Sequence, residues 1–220
     1  VEIYDTEEEQ LEALKRWWKE NGQATILGLV MGIAVILAWN FWQDHKKEQA
    51  GLASALYSEL LLATDSNKLD SAEKLAERLQ QQYPKTEYAA YSGLLLAKVK
   101  VQQGDLAKAQ TILTSIASGS NKELGNIANI RLVRLMMANG QYEQGLKLIN
   151  SIDPANSASY SGNYDELVGD LYVALDRIEL ARSSYQKALG SGYRSPLLQL
   201  KIDDLTAPEK DAVPATETEK

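Results

Sequence analysis

The chain has 220 residues, with 30 acidic against 23 basic side chains, a net charge of −7 and no cysteine. These values exclude a disulfide, a thiolate nucleophile and a zinc-thiolate site, and they argue against a nucleic-acid partner, which needs a basic face. Lack of cysteine fits either side of a membrane and leaves the compartment open.

Residues 1–20 read as a short amphipathic segment. Leu11, Leu14 and Trp18 form an apolar stripe beside acidic residues. That stripe suits a helix resting on a membrane surface or holding a cytoplasmic partner.

Residues 21–43 carry no charge, between Glu20 and Asp44. Their apolar centre, 24–42, has 19 residues (42 − 24 + 1). At about 1.5 Å per residue it reaches roughly 28 Å, close to the hydrocarbon thickness of a bilayer. A buried soluble helix would show a polar stripe, and this run has none. A signal peptide would be shorter and end in small residues, whereas this run ends in Trp39, Phe41 and Trp42. A retained transmembrane helix is therefore expected, making the lipid bilayer a partner through one span. All four Trp sit near its two ends, where indoles are most stable. Gly28 and Gly32 form a GxxxG spacing, open both to close approach of two spans and to ordinary span composition. Lys15, Arg16 and Lys19 before the span outnumber Lys46 and Lys47 after it, a slight bias towards a cytoplasmic N-terminus.

Residues 44–205 follow helical spacing, and a turn-plus-helix phrase recurs in them. It reads GDLAKAQTIL at 104–113, GQYEQGLKLI at 140–149 and DRIELARSSY at 176–185, with a weaker NKLDSAEKLA at 67–76. The starts differ by 37, 36 and 36 residues (104 − 67, 140 − 104, 176 − 140). Asn67, Gly104, Gly140 and Asp176 tolerate the left-handed conformation that reverses the chain. Leu69, Leu106, Tyr142 and Ile178 open the next helix, and small Ala72, Ala109, Gly145 and Ala181 let two helices approach. Partner helices are expected over 50–64, 86–103, 122–139 and 161–175. A capping helix is expected over 195–205, with Ser195 as N-cap and Pro196 at its first position. Residues 206–220, rich in Pro, Thr and Glu, read as a disordered tail.

The unit resembles the tetratricopeptide repeat, whose period is about 34 residues. Gly169, Tyr172, Ala181, Tyr185 and Ala188 match its small and aromatic positions. The match is divergent: Val133 stands where a small residue is usual and Lys100 where an aromatic is. The expected fold is thus all-α, a single N-terminal transmembrane helix followed by a divergent tetratricopeptide-like domain; a non-repetitive helical bundle is the alternative.

No catalytic constellation stands out, and no cofactor or metal is expected. His45 is the only histidine, which excludes sites built from several. Phosphate loops of Walker type and GxSxG elbows are missing from the sequence. Binding remains. In tetratricopeptide arrays the first helix of each pair lines a concave surface. Carried over by spacing, this offers Tyr91, Leu94 and Lys98, then Ile127, Ile130, Arg134 and Met137, then Glu166 and Asp170, as a groove for a protein segment. Many of these would serve equally well as interhelical core.

The N-terminus carries a closer resemblance. EIYD at 2–5, QLEALKRWWKENG at 10–22 and a span ending AWNFW at 38–42 look like the YfgM family of Gram-negative bacteria. The resemblance covers nearly the whole chain, although Val1 stands where an initiator Met is expected, and the extension past Leu205 is not expected of every member. It implies a non-enzymatic ancillary subunit of the SecYEG translocon in the bacterial inner membrane. The N-terminus would be cytoplasmic and the helical domain periplasmic. The implied partners are SecYEG and the chaperone PpiD, with other periplasmic chaperones or client proteins besides. Two alternatives stay open: a scaffold for another envelope assembly complex, and a regulator acting through residues 1–20.

Overall fold

The computed structural model describes residues 7–206. Residues 1–6 and the greater part of the expected tail at 206–220 lie outside the described residues. Among those described, every regular element is helical. The chain divides into two compact units, Val1–Ala55 and Leu56–Lys220. Helix α1 (Glu7–Asp65) is 59 residues long and runs unbroken through positions 43 and 44, where the sequence suggests a domain border. No proline stands there, and Asp44 lies within the helix rather than capping a new one.

In the first unit, α1 is long and apolar enough to cross a membrane, and none of its most apolar 18-residue window is buried. Leu29, Val30, Ile33, Val35, Ile36 and Leu37 are all exposed. Apolar surface left in water costs about 25 cal/mol per Å², so a stripe of this size calls for a non-aqueous surrounding. Polar side chains at its start satisfy themselves: Thr25 Oγ1 donates to the Asn21 carbonyl at 2.9 Å, and Asn21 Nδ2 to the Trp17 carbonyl at 3.2 Å. The indoles pair at each end, Trp17 with Trp18 at 6.3 Å and Trp39 with Trp42 at 5.4 Å between centroids.

The second unit holds the end of α1 and nine further helices among the described residues: α2 (Leu69–Gln82), α3 (Glu87–Gln102), α4 (Leu106–Ala117), α5 (Lys122–Ala138), α6 (Tyr142–Asn150), α7 (Pro154–Ser157), α8 (Ser161–Ala174), α9 (Ile178–Gly190) and α10 (Leu198–Thr206). A 3₁₀ turn, Ala158–Tyr160, joins α7 to α8. Sequential packing runs through α2, α3, α4, α5, α6, α8, α9 and α10.

Each recurring phrase makes one kind of turn. Asn67, Gly104, Gly140 and Asp176 all have positive φ, of 55°, 81°, 71° and 57°. The residue after each donates its N–H five residues back: Lys68 to Ala63, Asp105 to Lys100, Gln141 to Met136 and Arg177 to Tyr172, at 2.8–2.9 Å. This is the long bond of the Schellman motif, and it satisfies a carbonyl the helix end leaves free. The next helices start at Leu69, Leu106, Tyr142 and Ile178. Ala72, Ala109 and Ala181 are fully buried, and Gly145 is buried too. Thr86, Asp105 and Asn121 cap α3, α4 and α5 through their side chains.

The divergent positions are compensated locally. Lys100 is buried, and its ammonium meets Glu73 of α2 and Gln103. Val133 is fully buried, and opposite it a Cβ on Gly145 would stand 3.7 Å from Val133 Cγ1 and 3.0 Å from Leu171. Bulk has moved from one side of that helix contact to the other.

The capping helix begins later than expected. Residues 195–197 form a turn closed by Leu198 N–H donating to the Ser195 carbonyl at 3.1 Å, and α10 starts at Leu198. Ser195 does not cap it; its hydroxyl donates to Glu166 Oε1 at 3.3 Å. The buried carboxylate draws the hydroxyl away from the helix end. Leu198 then packs among Ala181, Tyr185 and Ala188.

Candidate docking groove

An open groove of about 580 Å³ runs between α3 and α5. Leu113 and Leu135 are buried at its base, and Leu95, Val101 and Ala138 form its apolar walls. Three cationic side chains, Lys98, Arg131 and Arg134, line it, and no carboxylate does.

Helix geometry explains the lining. Leu95, Lys98 and Gln102 lie at i, i+3 and i+7 along α3; Arg131, Arg134 and Ala138 repeat that spacing along α5. Of the residues singled out by sequence, Lys98 and Arg134 line the groove. Leu94 and Ile130, each one residue away from a lining position, are buried in two separate core clusters. One residue is about 100° around a helix, so the inward face of each helix takes them. Ile127 and Met137 pack against the same clusters. Tyr91 is half-buried beside Tyr57, with centroids 6.3 Å apart, and Tyr57 also meets Tyr88 at 5.6 Å.

Glu166 and Asp170 face α10. Lys201 Nζ donates to Glu166 Oε1 at 2.9 Å and to Asp170 Oδ1 and Oδ2 at 2.6 and 2.8 Å. Tyr193 donates to Glu166 at 3.0 Å and Tyr185 to Asp170 at 2.7 Å. Both carboxylates are thus engaged within the chain. Burial works against the Lys201 ammonium, but the hydrogen bonds it donates to Asp170 and Glu166 prevail and hold its pKa above the usual 10.5.

The positive field of the groove reaches its neighbours. Burial pushes the Tyr57 phenol above its usual value, Tyr91 adds to this, and Arg131 opposes it. Burial and then Glu166 raise Tyr193, with the Ser195 hydroxyl and, last, Arg134 opposing. Arg131 Nη1 also donates to the Leu94 carbonyl at 3.0 Å, which fixes its guanidinium over α3.

Leu95, Val101, Gln102, Arg131, Leu135 and Ala138 escape the sequence reading. The recoverable signal is Arg131 with Arg134: two arginines three residues apart cannot share the apolar inner face, so they mark the outer one. No group of His, Cys, Asp and Glu able to hold a metal occurs among the described residues.

The tetratricopeptide repeat-like domain family matches residues 15–207. The chain is 30% identical over 213 residues to the ancillary SecYEG translocon subunit of Escherichia coli, covering 94% of this chain and 100% of that one. It is 31% identical to the protein of that name from Haemophilus influenzae, covering 92% and 99%. Among solved structures, a tetratricopeptide repeat protein from Parabacteroides merdae superposes with a TM-score of 0.56 at 21% identity, over 70% of this chain. The chain spans 58% of that protein's length. A double mutant of MamA RS-1 superposes with a TM-score of 0.53 at 13% identity, covering 70% and 82%. These two likenesses concern the fold alone.

Proposed function

Since this chain belongs to the tetratricopeptide repeat-like family and to the ancillary SecYEG translocon subunits, we propose that it is a membrane-anchored, non-enzymatic adaptor of SecYEG. In this reading residues 21–43 span the inner membrane, 1–20 stay in the cytoplasm, and 44–205 form a periplasmic docking array followed by the 206–220 tail. The array works with PpiD in handling or handing over secreted proteins, with other periplasmic chaperones or clients as further partners.

The observation that carries the proposal is the pairing of an exposed apolar helix with an open groove in one chain whose relatives match over nearly its full length. The anchor limits the array to a shell near the membrane, which raises the effective concentration of any partner held there. The contribution is positioning and non-covalent capture.

Extraction in mild detergent tests this: SecY and PpiD should co-purify with the full chain. Recovery of the chain without SecY, under conditions that keep SecYEG intact, overturns it. Orientation has its own test, because the chain has no cysteine. A single Cys at exposed Ser118 should react with a membrane-impermeant maleimide from the periplasmic side; protection until lysis would reverse the assignment.

A further inference from the structure

We propose that the α3–α5 groove selects an acidic apolar protein segment, with aliphatic side chains on Leu95, Val101 and Ala138 and carboxylates against Lys98 and Arg134. This rests on the reading of the array as a docking surface and specifies what it takes. The first support is charge. The chain is net negative, yet the groove carries Lys98, Arg131 and Arg134 and no acid. Among the described residues none of the three makes an ion pair, whereas Lys100, Arg177, Arg182, Lys187 and Lys201 each do. Glu166 and Asp170, which the sequence placed in the groove beside these cations, do not line it and are held by Lys201 instead. The second support is surface. Val101 is 42% exposed on the last turn of α3, beside buried Leu113 and Leu135. The open groove, about 580 Å³ in volume, leaves room for side chains of a docked segment. Apolar contacts of this kind supply affinity, and the cations select by sign.

The probes are fluorescein-labelled 12-residue peptides of leucine and glutamate, with versions carrying the isostere glutamine, or the cation lysine, in place of each glutamate. Binding to the full chain is read by anisotropy in phosphatidylcholine nanodiscs at low salt, with empty nanodiscs subtracted. The glutamate peptide should bind about tenfold more tightly than the glutamine peptide and more tightly still than the lysine peptide. K98E/R134E should abolish that preference and gain the lysine peptide; both side chains are exposed and unpaired, so the fold should persist. A138W, which fills the groove, should weaken the glutamate and glutamine peptides alike. Equal affinity for glutamate and lysine peptides overturns the assignment, as does unchanged glutamate-peptide binding in K98E/R134E. Displacement of the peptide by phosphatidylglycerol at lower concentration than by unlabelled peptide also overturns it, in favour of a lipid headgroup. If SecY fails to co-purify while the peptide preference holds, the adaptor reading falls and the groove assignment stands; the reverse pattern separates them the other way.

Discussion

Lys100 Nζ lies 2.5 Å from Glu73 Oε1, joining α3 to α2 where tetratricopeptide units usually carry an aromatic ring. The Lys100 side chain is only 7% exposed, and Glu73 is the carboxylate that offsets the cost of burying its ammonium. Hydrogen bonds from Lys100 and then Gln103 hold the Glu73 carboxyl below its usual 4.5, against burial. A depressed carboxylate stabilises the fold above its unfolded value, and that stability is lost as pH falls through the folded one. Unfolding curves should therefore show wild type losing stability below about pH 4.5, with that slope reduced in E73Q. At neutral pH, E73Q should cost about 2–3 kcal/mol because it strands a buried cation, while E73L/K100M should be nearly neutral. A double variant as weak as the single one would show that the pair does more than satisfy itself.

Two glycines should fail for different reasons. A Cβ on Gly169 would fall 2.2 Å from the Tyr185 ring, so G169A should cost about 1–3 kcal/mol through displaced packing. Gly104 has open space around it but a φ of 81°. G104A should cost about 1 kcal/mol, and G104N less, since Asn tolerates the left-handed region. Denaturant midpoints of the three variants check this order.

Lys201 ties α10 to α8, and its raised pKa gives an alkaline signature. A cation held above its unfolded value stabilises the fold fully below pH 10.5, and the contribution is lost as pH rises through the folded value. K201M should lower stability at pH 7 by about 1–2 kcal/mol and then lose less than wild type above pH 10.5. Tyr164, pushed by burial up to about 12, titrates in the same range in both proteins. Tyr185 and Tyr193 share Asp170 and Glu166 with Lys201 and are raised by burial and by these carboxylates, so the difference between the two curves reports Lys201 together with its coupling to them.

The anchor has a direct test. Val30 is exposed in the apolar run, and V30R should cost about 2.5–3.5 kcal/mol of insertion free energy. Alkaline carbonate extraction should move a measurable share of V30R into the supernatant while wild type stays with the membrane.

Local chemistry determined much of this protein. The apolar run at 21–43, the four reversing residues and the first residue of each following helix are readable because a span, a left-handed turn and a helix start depend on neighbours in sequence. The same holds for the small residues at 72, 109, 145 and 181. Tertiary structure decided what depends on rotation about a helix axis and on contacts far apart in the chain. Leu94 and Leu95 are equally apolar, and packing alone sends the first to the core and the second to the groove. Glu166 and Asp170 look free until α10, some 30 residues later, brings Lys201 against them. Ser195 looks like a cap until Glu166 takes its hydroxyl. In each case a contact between elements decided the outcome, and no short window of sequence contains both partners.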